Sequence, residues 1–282
     1  MALRSYLSLT TFKLEVGDTS TSRDTVYRRV CEGIAGQIDN WTKRVFQPYT
    51  ATNYYTATWM AMADYAGAGV ETDDLLSVTS LAEDRAQDRA YSESWTSSNF
   101  ELYPWNAPNR QEPYRAIFAV PNGSQRFVDG IPRGVRVAGL YGYWLETFAV
   151  AETLSTAAAI TATSTSIGVS TTVSIEPLQT ILVDSEQMYV KSAASTTLLV
   201  ERAVNGTSAS THAAASGITV YRYPGPIVEA AVIQAQRIHR RKDAPFGVVG
   251  APDLGPLVPL PPMDQDVKQL LSPYRLYTWL AV

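Results

Sequence analysis

Hydrophobic residues recur every three or four positions in two parts of the chain, as they do in helices with one buried face. The apolar members of the first stripe are Val26, Val30, Ile34, Ile38, Trp41 and Val45. The second stripe begins at Pro226, which suits the first turn of a helix, and its predicted buried positions are Ile227, Ala231 and Ile238. A short helix over residues 2–14, ended by Gly17, is predicted before both.

Gly33 and Gly36 interrupt the first helical stripe. Each glycine weakens a helix by roughly 1 kcal/mol relative to alanine. We therefore expect another backbone to approach the helix closely at these positions.

Between residues 50 and 144 the hydrophobic period shortens towards two, which predicts strands. The predicted strands cover residues 54–56, 75–81, 115–120 and 135–140. Turn residues such as those of Pro121-Asn122-Gly123 separate them. Residues 83–89 carry many charges and predict a short exposed helix.

Residues 151–220 change in composition, being rich in Ser, Thr and Ala and lacking all six tryptophans. Apolar residues alternate there in pairs: Ile167/Val169, Val173/Ile175, Ile181/Val183, Met188/Val190, Leu198/Val200 and Ile218/Val220. This pattern predicts a small all-β module with a thin core. Asp184 and Glu186 lie two apart on a predicted strand, so we expect both on its polar outer face, and His212 is expected to bond a turn.

Prolines crowd the C-terminal part of the chain, where they deny regular hydrogen bonding. They are Pro245, Pro252, Pro256, Pro259, Pro261, Pro262 and Pro273. We predict an extended spacer over residues 245–262 followed by an apolar anchor over residues 267–282. The anchor ends in Tyr, Arg and Trp residues, which dominate interface hot spots. It serves as a docking segment or folds back on its own core.

Charge and composition narrow the classes of function. The net charge of −4 gives no overall basic surface for nucleic acid. Cys31 is the only cysteine, so a disulfide within one chain is excluded. The lack of a disulfide framework suits a reducing cytoplasm. No secretory signal or membrane-spanning apolar run is recognised. Only 18% of residues are charged, as expected of surfaces that become buried in an assembly.

Candidate catalytic residues are few. His212 and His239 are the only histidines and lie in different predicted modules, so no metal site or cofactor is predicted. His239 is expected to be a solvated residue of the second predicted helix. No Gly-x-Ser-x-Gly motif supports a serine nucleophile. We therefore predict a protein that is not an enzyme.

A basic cluster ends the second predicted helix. Its members are Arg237, Arg240, Arg241 and Lys242. They match the negative end of the helix dipole and are solvated, or they contact acidic residues of a neighbouring subunit. Direct DNA binding is a third reading, without supporting aromatic residues.

Four patterns in this order resemble the head–tail adaptor, or connector, family of long-tailed bacteriophages. The first is Ile38-Asp39-x-x-Thr42-x-Arg44-x-Phe46 and the second is Asp73-Asp74-Leu75-Leu76-Ser77-Val78. The third is Gly139-x-Tyr141-Gly142-Tyr143-Trp144. The last is Arg240-Arg241-Lys242-Asp243-Ala244-Pro245-Phe246-Gly247, followed by Leu270-Leu271-x-Pro273-Tyr274-Arg275. Residues 181–220 also resemble small β modules of phage structural proteins. The motifs that carry this resemblance are Asp184-Ser185-Glu186-Gln187-Met188-Tyr189-Val190, Arg202-x-x-Asn205-Gly206-Thr207 and His212.

The resemblance implies an α+β adaptor core formed by residues 1–150 and 221–250. It implies an inserted β module over residues 151–220 and a Pro-rich docking arm over residues 251–282. It implies a virion neck protein, assembled in the bacterial cytoplasm, that forms a ring of twelve beneath the portal protein. Such a ring presents a surface for the tail completion or stopper protein and lets genomic DNA pass without sequence-specific binding. The arm would insert into the portal through Leu270, Leu271, Tyr274, Arg275, Leu276, Tyr277, Trp279 and Leu280.

Two rival hypotheses remain open. The 151–220 module could instead bind a receptor or carbohydrate on the virion surface, although glycan sites generally need an exposed aromatic residue and this module holds only Tyr189. A cell-wall hydrolase is the other rival, and the sparse histidines speak against it.

Overall fold

The computed structural model describes residues 4–62, 65–144, 146–153, 159–170, 174–240, 248–249, 258–259 and 263–276. Within these residues it contains four α-helices together with antiparallel sheets, which confirms the α+β class. The helices are α1 (Leu9–Val16), α2 (Asp24–Thr42), α3 (Gly225–Arg240) and α4 (Gln265–Leu271).

The chain divides into two compact units. The helical unit comprises Met1–Arg44 and Glu146–Val282, and the sheet unit comprises Val45–Leu145. The predicted organisation grouped the helices with residues 50–144 and set residues 151–220 apart. In the structure the helices share a compact unit with the predicted β module.

The sheet unit holds seven strands. They are β1 (Tyr49–Tyr55), β2 (Thr58–Met62), β3 (Tyr65–Glu83), β4 (Glu93–Trp95), β5 (Phe100–Tyr103), β6 (Tyr114–Ala119) and β7 (Val135–Tyr141). The strand order is β1-β7-β3-β6-β5, with β2 and β4 also paired to β3. All four predicted strands of this region are confirmed as parts of β1, β3, β6 and β7.

The predicted helix over residues 83–89 is wrong, because Glu83 ends β3 and residues 84–89 form a loop with turns after it. The carboxylates of Glu83 and Asp84 are buried and anchor the loop. Glu83 accepts the backbone N–H of Val128 at 2.6 Å, and Asp84 accepts those of Asp88 and Arg89 at 3.1 Å. Backbone donors thus hold the charged residues in a loop.

The helical unit contains a six-stranded antiparallel sheet. Its strands are β8 (Glu146–Thr153), β9 (Ser166–Gly168), β10 (Thr180–Val183), β11 (Glu186–Ala194), β12 (Thr197–Glu201) and β13 (Gly217–Arg222), in the order β8-β13-β10-β11-β12-β9. Its core is built from the predicted alternating residues. The predicted Val173 lies outside the described residues. Two hydrogen bonds connect this sheet to α2. Tyr189 of β11 donates to Glu32 of α2, and Arg28 of α2 donates to the carbonyl of Lys191 in β11.

The buried face of α2 is rotated relative to the predicted stripe. The buried residues are Tyr27, Cys31, Ile34, Ala35, Ile38, Asp39 and Thr42, whereas Val26 is 47% exposed. Tyr27 and Thr42 can be buried because each satisfies its hydroxyl group with a hydrogen bond. A pattern based on hydrophobicity alone does not identify these two positions as buried, which explains the difference. The expected close approach at Gly33 is not seen among the described residues, where no atom outside the helix's own backbone lies within 4 Å of an added Cβ.

The other helices follow the sequence more closely. α1 begins at Leu9 rather than Ala2, since Ser8 is its N-cap and accepts the N–H of Thr11. Gly17 ends it with φ +68°, as predicted. In α3, Ile227 and Ala231 are buried as predicted.

Candidate functional site

The described part of the C-terminal segment is folded onto the helical unit. Asp264 caps α4, which packs against α3. Met263, Val267 and Leu271 are buried, the last two completely. The side of α4 that bears these residues is therefore part of the protein's own core.

The chain is fixed again just after α4. The backbone N–H of Leu276 donates to the carbonyl of Thr42 at 2.7 Å. The guanidinium of Arg275 lies 5.3 Å from the centre of the Trp41 ring, within the range of a cation–π contact. Thr42 itself donates from its hydroxyl to the Ile38 carbonyl at 2.8 Å. The C-terminal end of α2 thus holds residues 275 and 276 in place.

These contacts change the predicted docking set. Leu271 is fully buried in its own core, so it is not available to a partner in this conformation. Arg275 is exposed, while Leu270, Tyr274 and Leu276 are half-buried. The predicted docking residues Tyr277, Trp279 and Leu280 lie outside the described residues.

The predicted extended spacer also falls largely outside the described residues. Two short strands within it, β14 (Val248–Val249) and β15 (Val258–Pro259), pair antiparallel. A straight polyproline-like strap would lack this pairing.

The basic cluster at the end of α3 is not one continuous exposed surface. Arg237 forms an ion pair with Asp264, the capping residue of α4, and its pairing partner is therefore within its own chain. Arg240 is exposed. Arg241 and Lys242 lie outside the described residues.

His239 on α3 was expected to be a solvated helix residue. Its ring is half-buried and lies edge-on to Phe12 and Tyr27, at centroid distances of 6.0 and 5.4 Å. The expectation is wrong because α3 packs this residue over the contact of α1 with α2.

A buried ionic network lies inside the β module. Glu186 and Arg202 form a two-point contact, with Arg202 Nε and Nη2 donating to the two carboxylate oxygens at 2.7 and 2.6 Å. His212 Nε2 lies 2.8 Å from Glu186, and His212 Nδ1 lies 2.6 Å from Asp184. Glu186 and His212 are buried, whereas the Asp184 side chain is 59% exposed. The expectation that Glu186 lies on the outer face of the sheet is therefore wrong.

The network also closes two loops. The carboxylate of Glu186 accepts the backbone N–H groups of Ala203 and Ser210 at 3.1 and 3.0 Å. Arg202 donates to the carbonyls of Thr161, Ser164 and Ser210. Burial alone would raise the pKa of Glu186, but the hydrogen bonds from Arg202, His212 and the two backbone groups outweigh it and lower that pKa to about 2.

The arrangement of Ser210, His212 and Asp184 resembles a catalytic triad only in composition. Ser210 Oγ lies 3.3 Å from His212 Nε2, but the same nitrogen faces Glu186 at the shorter distance of 2.8 Å. Because a carboxylate only accepts hydrogen bonds, the contact with Glu186 requires that Nε2 donate to it. A general base needs a free nitrogen lone pair towards the serine. This geometry therefore gives Ser210 no activating base.

Asn205 and Gly206 form a turn after β12. Asn205 donates from Nδ2 to Gln187 at 2.9 Å, and Thr207 Oγ1 accepts the N–H of Gln187 at 3.1 Å. Gly206 has φ +79°, a left-handed conformation that favours glycine. These contacts bond the turn to Gln187 of β11, which the sequence spacing alone does not show.

The aromatic residue required by the carbohydrate-binding rival is not exposed. Tyr189 is completely buried. Its hydroxyl donates to Glu32 of α2 at 2.9 Å. In this conformation Tyr189 is a contact between the β module and α2.

Asp39, from the first adaptor-like pattern, fixes the N-terminal segment. Its carboxylate lies 2.7 Å from Arg4 Nε and accepts the hydroxyl of Tyr6 at 2.5 Å. Burial raises the pKa of Asp39 to about 6, although Arg4 and Tyr6 oppose the shift. The same end of α2 therefore holds both an N-terminal and a C-terminal segment.

The glycines of the third adaptor-like pattern have separate structural causes. Gly139 on β7 passes so close to the backbone of Ser77 that a Cβ atom would clash with its carbonyl oxygen. Gly142 has φ +130° and lies against Gln47 and Pro48. Both glycines shape the sheet unit.

Within the part of the chain that the structure describes, no group of three or more His, Cys, Asp or Glu residues is placed to hold a metal ion. Among the same residues, no helix combines the length and apolarity needed to span a bilayer. Comparison with known proteins found no matching family model, no matching curated protein and no matching solved structure.

Proposed function

We propose that the chain is a structural virion protein, a head–tail adaptor that forms a ring, of twelve copies by resemblance, beneath the phage portal. In this proposal it extends the DNA channel and offers a surface to the tail completion or stopper protein. That the helices and the sheet unit act as an adaptor core, interrupted by the β module, is part of the same proposal.

The observation that carries the proposal is the anchoring of the C-terminal segment. Leu276 is bonded to Thr42 and Arg275 lies over Trp41. The last residues, 277–282, therefore start from a fixed point at the end of α2. They include Tyr277 and Trp279, residue types that dominate interface hot spots. Aromatic residues that directly follow a fixed segment fit docking, because less ordering entropy opposes their binding than for residues far from any fixed point.

The use of the polar residues supports a role without catalysis. Glu186, Arg202 and His212 satisfy one another inside the β module. Asp39 holds the N-terminal segment, and Arg237 holds α4. Catalysis would require such groups to be accessible to a substrate. Here they stabilise contacts within the chain.

The test compares binding to a purified portal ring by the intact chain and by a chain truncated after Leu276. Truncation at this point removes the proposed docking residues while keeping α4, whose Val267 and Leu271 belong to the core. We expect the truncated chain to keep its melting temperature and to lose portal binding. Trp279→Ala should weaken binding in the same direction, at least tenfold for a hot-spot residue worth about 2 kcal/mol.

Two results would contradict the proposal. One is equal portal binding by the intact and truncated chains. The other is native mass spectrometry showing only single copies in a mixture with the portal. Leu271→Ala serves as the matched control, since it should lower thermal stability rather than act at the portal surface.

A further inference from the structure

A cavity of about 230 Å³ lies in the helical unit, between residues 5–11, the loop of residues 176–179 and the end of β13. Leu7, Leu178 and Tyr223 are among the residues that form its walls. Small-molecule sites usually measure roughly 300–1,000 Å³. The cavity is smaller than these, so it suits one long side chain better than a cofactor.

Tyr221 of β13 lines this cavity with a hydroxyl group that has no partner. The residue is only 8% exposed, and among the described residues its hydroxyl makes no hydrogen bond. Burial alone raises the pKa of Tyr221 to about 12. A buried tyrosine hydroxyl usually finds a hydrogen-bond partner. That of Tyr221 is therefore available to a group from outside the chain.

Glu176 adds a negative charge to the same cavity. Its side chain is half-buried, and within the described part of the chain its carboxylate has neither a hydrogen bond nor an ion pair. Arg222 also lines the cavity, but it is exposed and forms no ion pair with Glu176. Because a partly buried charge is costly unless it is paired, Glu176 favours a ligand with a positive charge.

Gln179 supplies a hydrogen-bond donor in the same loop. Its Oε1 accepts the backbone N–H of Glu176 at 2.8 Å. Its Nε2, which has no partner among the described residues, can only donate. The cavity thus offers a negative acceptor together with a neutral donor. This set fits a basic side chain whose own backbone carbonyl lies nearby.

Hydrogen bonds hold the loop of residues 176–179 in one conformation. Leu178 has φ +76°, a left-handed conformation that leucine rarely adopts. Its N–H donates to the carbonyl of Val190 at 2.8 Å, and the N–H of Val190 donates to the carbonyl of Gln179 at 2.9 Å. Leu9 of α1 donates to another carbonyl of this loop at 3.1 Å. The cavity is therefore preformed, which lowers the entropic cost of binding.

We propose that this cavity binds a lysine or arginine side chain of a partner protein. The cation pairs with the Glu176 carboxylate and donates to the hydroxyl oxygen of Tyr221. Its aliphatic stem lies against Leu7 and Leu178, since basic side chains bury their stems along apolar surface while their charge is satisfied. This site goes beyond the proposed adaptor function and does not depend on it.

Titration of the full chain with blocked amino acids tests the chemistry of the site. The probes are the N-acetyl methylamides of lysine and arginine, of norleucine as an uncharged analogue, and of glutamate as an anionic one. Binding is followed by the amide NMR shifts of Leu178 and Gln179. We expect saturable binding of the two basic probes, at least about tenfold tighter than that of norleucine, because charge-assisted hydrogen bonds are the strong ones.

Two variants test the residues that carry the argument. Glu176→Gln removes the charge and keeps the shape, so it should weaken binding of the basic probes by about tenfold. Glu229→Gln is the matched control, at an exposed carboxylate of α3 outside the cavity lining, and should leave the affinity unchanged. Tyr221→Phe should weaken binding by about threefold to tenfold. Its melting temperature should not fall, because the lost hydroxyl has no partner among the described residues.

The source of the cation is tested with 1,4-diaminobutane, a free amine. A partner's side chain also presents its backbone to the cavity, so the blocked lysine should bind more tightly than the diamine. Equal or tighter binding of the diamine would assign the site to a free amine and overturn the proposed partner.

Four other results overturn the proposal. They are the absence of saturable binding by the basic probes, equal binding of the norleucine or glutamate probe, unchanged affinity in Glu176→Gln, and a clearly lower melting temperature of Tyr221→Phe. The last result would show that the hydroxyl has a structural role. Portal binding enters none of these measurements, so failure of this site and failure of the adaptor function are distinguishable.

Discussion

Replacing Arg202 by methionine removes the guanidinium from the ionic network of the β module while keeping much of its apolar volume. Glu186 then remains buried, still close to His212 but without its two-point partner. The carbonyls of Thr161 and Ser164 also lose a donor.

The expected cost is large because both partners of this ion pair are buried. The Arg202 side chain is 6% exposed and that of Glu186 is 0% exposed. Breaking a buried pair by removing one partner typically costs about 3–5 kcal/mol, since an uncompensated charge is left behind. Adding Glu186→Gln to Arg202→Met removes that charge and keeps one oxygen, which can accept one of the two backbone N–H groups, since Ala203 and Ser210 donate to different carboxylate oxygens. The double variant should therefore be more stable than Arg202→Met alone.

Hydrogen exchange of the β11 and β12 amides measures the free energy of unfolding of the module itself. The matched control is Lys191→Met, which breaks an exposed ion pair to Glu201 in the same module, with side chains 40% and 42% exposed. Its cost should stay below about 1 kcal/mol. The reasoning is refuted if Arg202→Met costs no more than the control, or if Glu186→Gln makes Arg202→Met less stable still.

Four further predictions follow from the same contacts. The pKa of Glu186 is lowered from 4.5 to about 2, so its stabilising contribution is present above pH 4.5 and is lost as the pH falls towards 2, a slope that Glu186→Gln should remove in acid titrations of stability. The pKa of Asp39 is raised from 3.8 to about 6, so stability should fall as the pH rises between these values, and Asp39→Asn should flatten that change. Leu271→Ala should cost about 2–5 kcal/mol in chemical denaturation, because the residue is fully buried. Gly139→Ala should destabilise the sheet unit by about 1–3 kcal/mol through its clash with a β3 carbonyl, whereas Gly33→Ala, which meets no atom, should stabilise α2 by roughly 1 kcal/mol in thermal melts.

The sequence predicted best where one face of an element is buried against a core. The alternating residues of the β module illustrate this, because Ile181, Val183, Met188 and Val190 all lie in its core as expected. Alternation works there since a strand with one buried face has a period of two. The same logic located the strands around Leu75 and Val137.

Prediction failed where hydrogen bonds decide which polar residues are buried. Glu186 was placed on the outer face because a carboxylate is rarely buried alone, but Arg202 and His212, distant in sequence, neutralise it. The face of α2 was misjudged for the same reason, since Thr42 satisfies its hydroxyl within the helix. The sequence held one indication of this, because the motifs that contain Arg202, Asn205, Gly206 and His212 resemble phage β modules. Their spacing alone does not reveal a shared network.

For the C-terminal segment the sequence left two readings open, docking onto a partner and folding back on its own core. Seven prolines suggested an extended arm, and only a tertiary contact tells a free end from one that returns to the core. Val267 and Leu271 make that contact through one face of a seven-residue helix. Such a helix is too short to be stable by itself, so the sequence alone gave little indication that it would form.

The hydrogen bond from Leu276 to Thr42 sets a geometric limit on any docking event. A chain spans at most about 3.6 Å per residue when fully extended. Trp279 follows Leu276 by three residues, so at most about 11 Å of extended chain can separate the two residues. While this bond holds, it limits the distance between Trp279 and the end of α2. A partner that engages Trp279 must come almost into contact with the end of α2, and its distance from the helical unit is thereby set.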